Sequence, residues 1–348
     1  MPQRNCTVGI WDTLEFDGFS RLPLLDGHVH VWPGLEPSIL WEILGRSGAP
    51  RCNALSITRL EDGTLNQEAL RVKAASGGRA YAFGALDYSA HFRGSGLASD
   101  DLVEQADRLQ RQGFDGIKMA EGKTAVYARL PDRFNGPLFR PLFAWMEAQR
   151  VPLLMHVADP ARFWDPARAA IERWSYAQGD FPIRQEQYAE LEQVLVRHPR
   201  LTVILAHLLF LWDELPQAAR FLEAHPSVAF DLTPGVEGYF LLSQDPEAAR
   251  EFILCYQDRL IYGTDIGAES LLTPSQLVHP ARESASAWLV RAFLETDWDF
   301  PVPSGMGDVL DLFAGQRLRG VALPIPVLEK IYFRNFERMV GAFPRPLL

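Results

Sequence analysis

The chain has 348 residues, of which 47% are hydrophobic and 22% are charged. This composition is typical of a globular protein and excludes disordered and fibrous classes. The formal net charge of −10 at pH 7 argues against a nucleic-acid partner, because a field of this sign repels a phosphate backbone. The three cysteines, Cys6, Cys52 and Cys255, form no Cys-x-x-Cys pair, so we expect neither a disulfide framework nor a thiolate zinc site.

The sequence carries no recognisable targeting or membrane segment. Residues 1–20 lack a basic stretch followed by an apolar one, so we expect no secretory signal. No run of about 18 apolar residues indicates a membrane span. We therefore expect a cytoplasmic protein that acts on a small molecule, without a membrane partner.

Eight short apolar runs predict β-strands, and their lack of strict alternation is typical of strands buried on both faces. They lie at 22–31, 53–58, 80–86, 115–119, 151–157, 201–206, 227–232 and 259–264. Amphipathic patterns predict helices at 100–112, 138–149, 185–198 and 215–225 and a closing helix at 322–341.

The alternation of strands and helices predicts a parallel α/β architecture. The distance along the chain from Leu22 to Asp265 is close to the ~250 residues of a (β/α)₈ TIM barrel, which is the fold we expect. An open doubly wound sheet is the alternative, but its glycine-rich first turn is absent.

We expect an N-terminal arm at 1–21 and a single barrel domain at 22–348. Segments that follow strands in a barrel lie over its carboxyl-terminal face, where enzymes place their active sites. Three such segments are longer than ordinary connections and are predicted to cover the site: 120–137, 158–184 and 266–322.

The sequence Asp-Gly-His-Val-His at 26–30 ends the first predicted strand. Residues two apart on a strand point to the same face, so His28 and His30 are expected to face the barrel interior together. Two inward imidazoles supply half of a divalent-metal site. A chance pair of one core and one surface histidine is the alternative.

Further polar residues end or lie in other apolar strands: Lys118, His156, His207 and Asp265. Burying a charged group or an imidazole costs on the order of several kcal/mol unless the group is paired or binds a metal. Because the pattern repeats at independent strand ends, packing does not account for it and a shared catalytic site does.

The order His-x-His, Lys, His, His and Asp on strands one, four, five, six and eight resembles the amidohydrolase superfamily of metal-dependent (β/α)₈ enzymes. The closer resemblance is to the amidohydrolase-2 group, which includes hydrolases, lactonases and decarboxylases of the aminocarboxymuconate-semialdehyde type. The segments that carry it span most of the chain: LLDGHVHVW, GFDGIKM, PLLMHVADP, LTVILAH, RLIYGTD and LPIPVLEKIYFRNFERMVG.

The resemblance implies that His28, His30, His156 and Asp265 bind one divalent metal, with Zn²⁺ favoured over Mn²⁺. It implies that Asp265 and His207 are the catalytic acid/base groups, with His207 beside the metal or ligating it. Lys118 has three open roles: a carboxylated bridge between two metals, a contact to substrate, or a structural residue. By analogy with relatives, a homodimer is expected.

The weaker candidates for substrate binding follow strands one, two and five. Packing accounts for the first, a tryptophan, equally well, and solvent exposure is the favoured account of the arginine after strand two. The four candidates are Trp32, Arg59, Arg162 and Trp164.

The leading hypothesis is a metal-dependent hydrolase of a C–O or C–N acyl bond in a lactone, ester or amide, which uses metal-activated water. The alternative is non-oxidative decarboxylation of an unsaturated or aromatic acid at the same metal. A binding module without activity is a third hypothesis, and the intact set of metal-ligand positions argues against it.

Overall fold

The computed structural model describes residues 14–167, 175–235, 237–272, 278–302 and 315–347. Within them, eight parallel strands follow one another around a single sheet in sequence order. They are β1 (Leu25–His30), β2 (Arg51–Leu55), β3 (Ala80–Gly84), β4 (Gly116–Gly122), β5 (Leu153–Val157), β6 (Val203–Leu205), β7 (Val228–Asp231) and β8 (Leu260–Ile261).

Backbone hydrogen bonds join the two ends of this sheet. The amide of Gly27 donates to the carbonyl of Tyr262 at 3.0 Å, and the amide of Asp265 donates to that of His28 at 3.0 Å. The His30 amide in turn donates to the Ile266 carbonyl at 2.8 Å. The sheet therefore closes on itself, and the predicted TIM barrel is confirmed.

The helices alternate with the strands as predicted. They are α1 (Pro37–Ser47), α2 (Asn66–Ala74), α3 (Ser89–Phe92), α4 (Ser99–Arg111), α5 (Thr124–Tyr127), α6 (Arg140–Gln149), α7 (Arg184–Arg197), α8 (Leu215–Ala224), α9 (Gly238–Leu242), α10 (Pro246–Cys255), α11 (Ala268–Leu272), α12 (Pro280–Glu283), α13 (Ala285–Glu295), α14 (Ile325–Glu329) and α15 (Asn335–Val340). None of these described helices is long and apolar enough to cross a membrane.

Local sequence explains where α4 begins and ends. Asp100 and Asp101 lie in its first turn and Arg108 and Arg111 in its last, so each charge complements the helix dipole. Gly113 follows with φ of 95°, a left-handed conformation that side chains disfavour. The predicted closing helix is observed as α14 and α15, joined by a π turn at Lys330–Arg334.

Two of the predicted long loops contain regular structure that the sequence reading missed. The segment 120–137 begins inside β4, because Gly122 still pairs with Val157 of β5 after a bulge. The segment 266–322 includes α13, most of whose side chains are buried. It also includes a short antiparallel pair of strands, β9 (Asp299–Pro301) and β10 (Arg317–Arg319).

The interior of the barrel is filled by a compact apolar cluster. Helix α15 contributes Phe336, which is fully buried and lies with its ring centroid 5.0 Å from that of Tyr81. The other members of the cluster come from the strands and their ends: Leu25, Leu55, Phe83, Leu154, Ile204, Ala206, Ala229 and Ile261. The C-terminal helix therefore completes the core that supports the strand ends.

Truncation of the Phe336 side chain tests its contribution to the stability of the protein. We expect Phe336→Ala to lower the free energy of unfolding by about 3–5 kcal/mol, because it removes a large buried side chain and leaves a cavity. Urea denaturation measures the change. Phe343→Ala is the control, since that side chain is 84% exposed and its removal is expected to change stability by less than about 0.5 kcal/mol. Equal effects of the two substitutions would contradict this account.

Candidate metal centre at the carboxyl ends of the strands

The two histidines of β1 face the same space, as their spacing predicts. The Nε2 atoms of His28 and His30 lie 3.2 Å apart, and their ring centroids are separated by 5.0 Å. Neither side chain is appreciably exposed. Two ring nitrogens this close, both removed from water, call for a shared proton or a shared cation.

Asp265 completes a triangle with these two rings. Its Oδ1 atom lies 3.2 Å from His30 Nε2 and 3.5 Å from His28 Nε2. The residue follows β8 with φ of 63°, an uncommon conformation for a non-glycine residue. The backbone departs from its ordinary range at the point where the carboxylate turns toward the histidines.

The triangle has the dimensions of a metal site. Tetrahedral ligands at the ~2.0–2.1 Å typical of zinc are separated from one another by about 3.3–3.4 Å. The three observed separations are 3.2, 3.2 and 3.5 Å. A ligand atom of His207 also lies within 4.8 Å of those of His28 and Asp265. These residues fit a divalent cation in donor type, spacing and burial.

A left-handed turn after β6 carries His207. Four consecutive residues have φ between 50° and 56°, from His207 to Phe210, and each such non-glycine residue costs roughly 1–2 kcal/mol. Hydrogen bonds from α7 hold the turn: the Tyr188 hydroxyl donates to the Leu209 carbonyl at 2.5 Å, and the Arg184 guanidinium to the Phe210 carbonyl at 3.2 Å.

Phe210 is the side chain that this turn directs toward the site. Its ring stacks on His207 with centroids 5.1 Å apart and an angle of 24°, and it lies 5.2 Å from the ring of His156. The His156 ring also packs against that of His207 at 5.1 Å, and its Nε2 is 3.5 Å from Asp159 Oδ1. His156 thus borders the cluster, and its role as a metal ligand stays a prediction.

Lys118 reaches the same space from β4. Its Nζ atom lies 3.4 Å from His28 Nε2, and the side chain is almost fully buried. Burial lowers the pKa of this amine to about 8. Three residues further along β4, Glu121 is fully buried as well, and burial raises the pKa of its carboxyl to about 7.

The protonation states of the cluster suit metal binding. Burial lowers the pKa of His28 well below its usual value and lowers that of His207 to about 4, so both rings are neutral at pH 7. Burial alone would raise the pKa of Asp265, but its interaction with His30 and the nearby His207 lower it instead. Neutral imidazoles and an ionised carboxylate are the forms that ligate metals.

The four weaker candidates make contacts of other kinds. Trp32 is buried against the loop after β8, where a Cβ on Gly267 would meet its ring at 3.0 Å. Arg59 pairs with Asp62 at 3.1 Å, and Arg162 pairs with Glu237 at 3.0 Å. The Trp164 indole N–H donates to the Pro182 carbonyl at 3.2 Å. Their roles in substrate binding remain predictions.

Asp231 is a polar residue of the site that the sequence analysis did not single out. It ends β7, is fully buried, and places Oδ2 2.7 Å from His28 Nδ1. The signal was present in the sequence, because Asp231 ends the apolar run SVAFD just as Asp265 ends RLIYGTD. The same rule applied to strand seven would have found it.

A family model described as amidohydrolase matches residues 25–341, which include the whole barrel and every residue of the cluster. The chain belongs to the amidohydrolase-2 family. The resemblance seen in the sequence is thereby confirmed. Members of this family are generally metal-dependent, in agreement with the donor set described above. No curated protein matches the chain in sequence.

Solved structures share the fold of this amidohydrolase. An uncharacterised TIM-barrel protein from Bordetella bronchiseptica has a TM-score of 0.55 at 14% identity, over 92% of this chain and 99% of that one. A probable 2-pyrone-4,6-dicarboxylic acid hydrolase from Acinetobacter baumannii has a TM-score of 0.52 at 12% identity, over 92% and 100%. The 5-carboxyvanillate decarboxylase from Sphingomonas paucimobilis has a TM-score of 0.51 at 13% identity, over 92% and 99%. At such identities the similarity shows the fold alone.

Glu121 makes stability depend on pH. Its pKa rises from 4.5 to about 7 on folding, so the folded state binds more protons between these values. The contribution of protonated Glu121 to the free energy of unfolding is fully present below pH 4.5 and is lost as the pH rises through about 7. Between about pH 5 and pH 8, we expect the free energy of unfolding of Glu121→Gln to rise by about 2–3 kcal/mol relative to that of the parent protein, as measured by urea denaturation.

The control is Glu36→Gln, which removes the charge of an exposed glutamate. Its stability is expected to follow that of the parent protein across the same pH range. Parallel curves for Glu121→Gln and the parent protein would contradict the burial of an ionisable group at this position.

Proposed function

We propose that this amidohydrolase is a metal-dependent hydrolase of an acyl C–O or C–N bond in a small molecule, such as a lactone, ester or amide. One observation carries the proposal: the Asp265 carboxylate oxygen Oδ1 lies 3.2 Å from Nε2 of His30 and 3.5 Å from Nε2 of His28, the arrangement of a metal site. Because a bound metal lowers the pKa of water, even a carboxylate with a lowered pKa can accept its proton, which hydrolysis requires. Such a carboxylate is less suited to deliver a proton to carbon, which decarboxylation requires.

His28, His30 and Asp265 are the proposed ligands of one divalent metal, with His156 as the fourth, and Zn²⁺ is favoured over Mn²⁺. When bound, such a metal polarises a substrate carbonyl and lowers the pKa of a water molecule to ~7. The protein's own part is to bring these donors together at the ends of the strands, with the two histidines of β1 largely buried and the Asp265 side chain 25% exposed.

Asp265 and His207 are the proposed proton carriers. The Asp265 carboxylate accepts the proton of the attacking water. His207 is neutral at pH 7, because burial lowers its pKa to about 4. Its Nδ1 lies 3.3 Å from the Thr233 carbonyl, to which it donates, so Nε2 is the atom left to exchange a proton with the reacting groups.

Lys118 is proposed to contact substrate while the site holds one metal. Its amine lies 3.4 Å from His28 Nε2, at the edge of the metal triangle. A protonated amine there offsets the negative charge of a substrate carboxylate or of a developing oxyanion. A carboxylated Lys118 that bridges two metals is the alternative, and the lowered pKa favours the neutral amine that this modification needs.

Decarboxylation is the second candidate function, and the position of Lys118 favours it. A buried cation beside the metal triangle is a counter-charge for the carboxylate of an unsaturated or aromatic acid. Two assays separate the reactions. Purified protein is incubated with a panel of lactones and esters and with a panel of hydroxylated aromatic acids. Release of titratable acid supports hydrolysis, and release of CO₂ supports decarboxylation instead.

Removal of the Asp265 charge tests the central role of this residue. We expect Asp265→Asn to lower turnover by roughly 10²–10⁴-fold, because the amide can neither accept a proton nor ligate as an anion. Metal content per chain, measured by plasma mass spectrometry, is expected to fall with it. His91→Ala is the control, because the His91 ring packs against Phe92 on α3 and is not part of the candidate metal cluster. Full turnover and full metal content in Asp265→Asn would contradict the proposal.

Lys118→Met separates the two roles of the lysine. If Lys118 contacts substrate, the variant keeps one metal per chain and its KM rises more than its kcat falls. If Lys118 is a carboxylated bridge, the parent protein holds two metals per chain and the variant loses one. The measurements are metal content and steady-state kinetics on the same preparations.

A further inference from the structure

The Asp231 carboxylate joins three strands of the barrel. One oxygen, Oδ2, lies 2.7 Å from Nδ1 of His28 on β1. The other, Oδ1, accepts hydrogen bonds from the backbone amides of His207 at 2.8 Å and Thr233 at 3.2 Å. The side chain is fully buried, and the Lys118 amine and the Thr233 side chain also favour its charged form.

These contacts fix the orientation of the carboxylate and the tautomer of His28. Oδ1 faces two N–H donors, which leaves Oδ2 for the imidazole. A carboxylate can only accept, so Nδ1 of His28 carries the hydrogen and Nε2 carries the lone pair. This Nε2 atom lies 3.2 Å from His30 Nε2, 3.4 Å from the Lys118 amine and 3.5 Å from Asp265 Oδ1, at the triangle of candidate ligands.

We propose that Asp231 is the positioning residue of the metal centre: it locks His28 in the tautomer that can ligate through Nε2 and anchors the backbone of His207 in the same arrangement. This inference rests on the proposed metal-dependent function. It assigns the strand-seven carboxylate a role in metal affinity, distinct from that of the residues that touch the metal.

A neighbouring carboxylate shows that burial at this end of the barrel is not enough for such a role. Asp26 is also fully buried, but it accepts from the Thr264 hydroxyl at 2.5 Å and from the His28 amide at 3.2 Å, and among the described residues no ring nitrogen bonds to it. Asp26 therefore holds the backbone of β1, whereas Asp231 determines which ring nitrogen of His28 carries the hydrogen.

The substitution Asp231→Asn tests the inference because it keeps the shape of the side chain and reverses the hydrogen bond to His28, although it also removes a negative charge near Lys118 and His207. The amide oxygen is expected to stay toward the amides of His207 and Thr233, so the NH₂ group faces His28 Nδ1. That nitrogen must then accept, and the ring hydrogen moves to Nε2, where it blocks ligation. We expect zinc to bind roughly 10–100-fold more weakly, the effect typical of losing a residue that orients a metal-ligating histidine.

Two readouts are needed, and the first does not involve metal. The ¹⁵N chemical shifts of His28 are measured in metal-free protein with labelled histidine, and the signal is assigned by its loss in His28→Gln. We expect hydrogen on Nδ1 in the parent protein and on Nε2 in Asp231→Asn. The second readout is the zinc dissociation constant, measured by competition with a chelator.

The control is Asp115→Asn, which alters a buried carboxylate just before β4, at the amino end of the strand. Asp115 pairs with Lys73 at 2.6 Å, so its substitution is expected to lower stability and leave zinc affinity and the His28 tautomer unchanged. Hydrogen on Nε2 of His28 in the parent protein would overturn the inference, even if Asp231→Asn failed to fold. An unchanged tautomer and zinc affinity in Asp231→Asn would overturn it as well. If the parent protein binds no zinc, the proposed function fails, while the tautomer still tests the role of Asp231.

Discussion

Burial of ionisable side chains inside a parallel barrel is the constraint on which this site depends. Removing a charge or an imidazole from water is costly unless a partner compensates. Before β4, at the amino end of the strand, compensation is local: Lys73 and Asp115 pair at 2.6 Å, and Asp115 also accepts from two backbone amides. At the carboxyl ends, Asp265 is shared between two ring nitrogens. In the function proposed above, a divalent cation from outside the chain completes the compensation there.

Backbone strain accompanies this arrangement. Asp265 and the turn that begins at His207 have positive φ without glycine, and such conformations persist only where surrounding contacts enforce them. Tyr188 and Arg184 supply those contacts to the turn. In return, the turn sets the ring of Phe210 against two imidazoles, which keeps water from that side of the cluster. Stability is lowered locally where the geometry of the reacting groups has to be fixed.

The sequence alone predicted the barrel because its strands are short apolar runs, separated by helices with recognisable ends. It also predicted that His28, His30, His207 and Asp265 would meet, since the carboxyl ends of barrel strands share one space. It did not predict α13, which lies within a long segment that was expected to be a loop over the site. The bond between Asp231 and the His28 ring depends on rotamers and on which strands are neighbours, and both are set by tertiary packing.

The central claim is that the triangle of His28, His30 and Asp265 holds a metal, and crystallography at the zinc absorption edge tests it most directly. Crystals of the full chain grown with zinc are measured on both sides of the edge. We expect one anomalous peak ~2.0–2.2 Å from both Nε2 atoms and from the Asp265 carboxylate. A well-ordered triangle without a peak, or zinc bound only elsewhere on the molecule, would contradict the account.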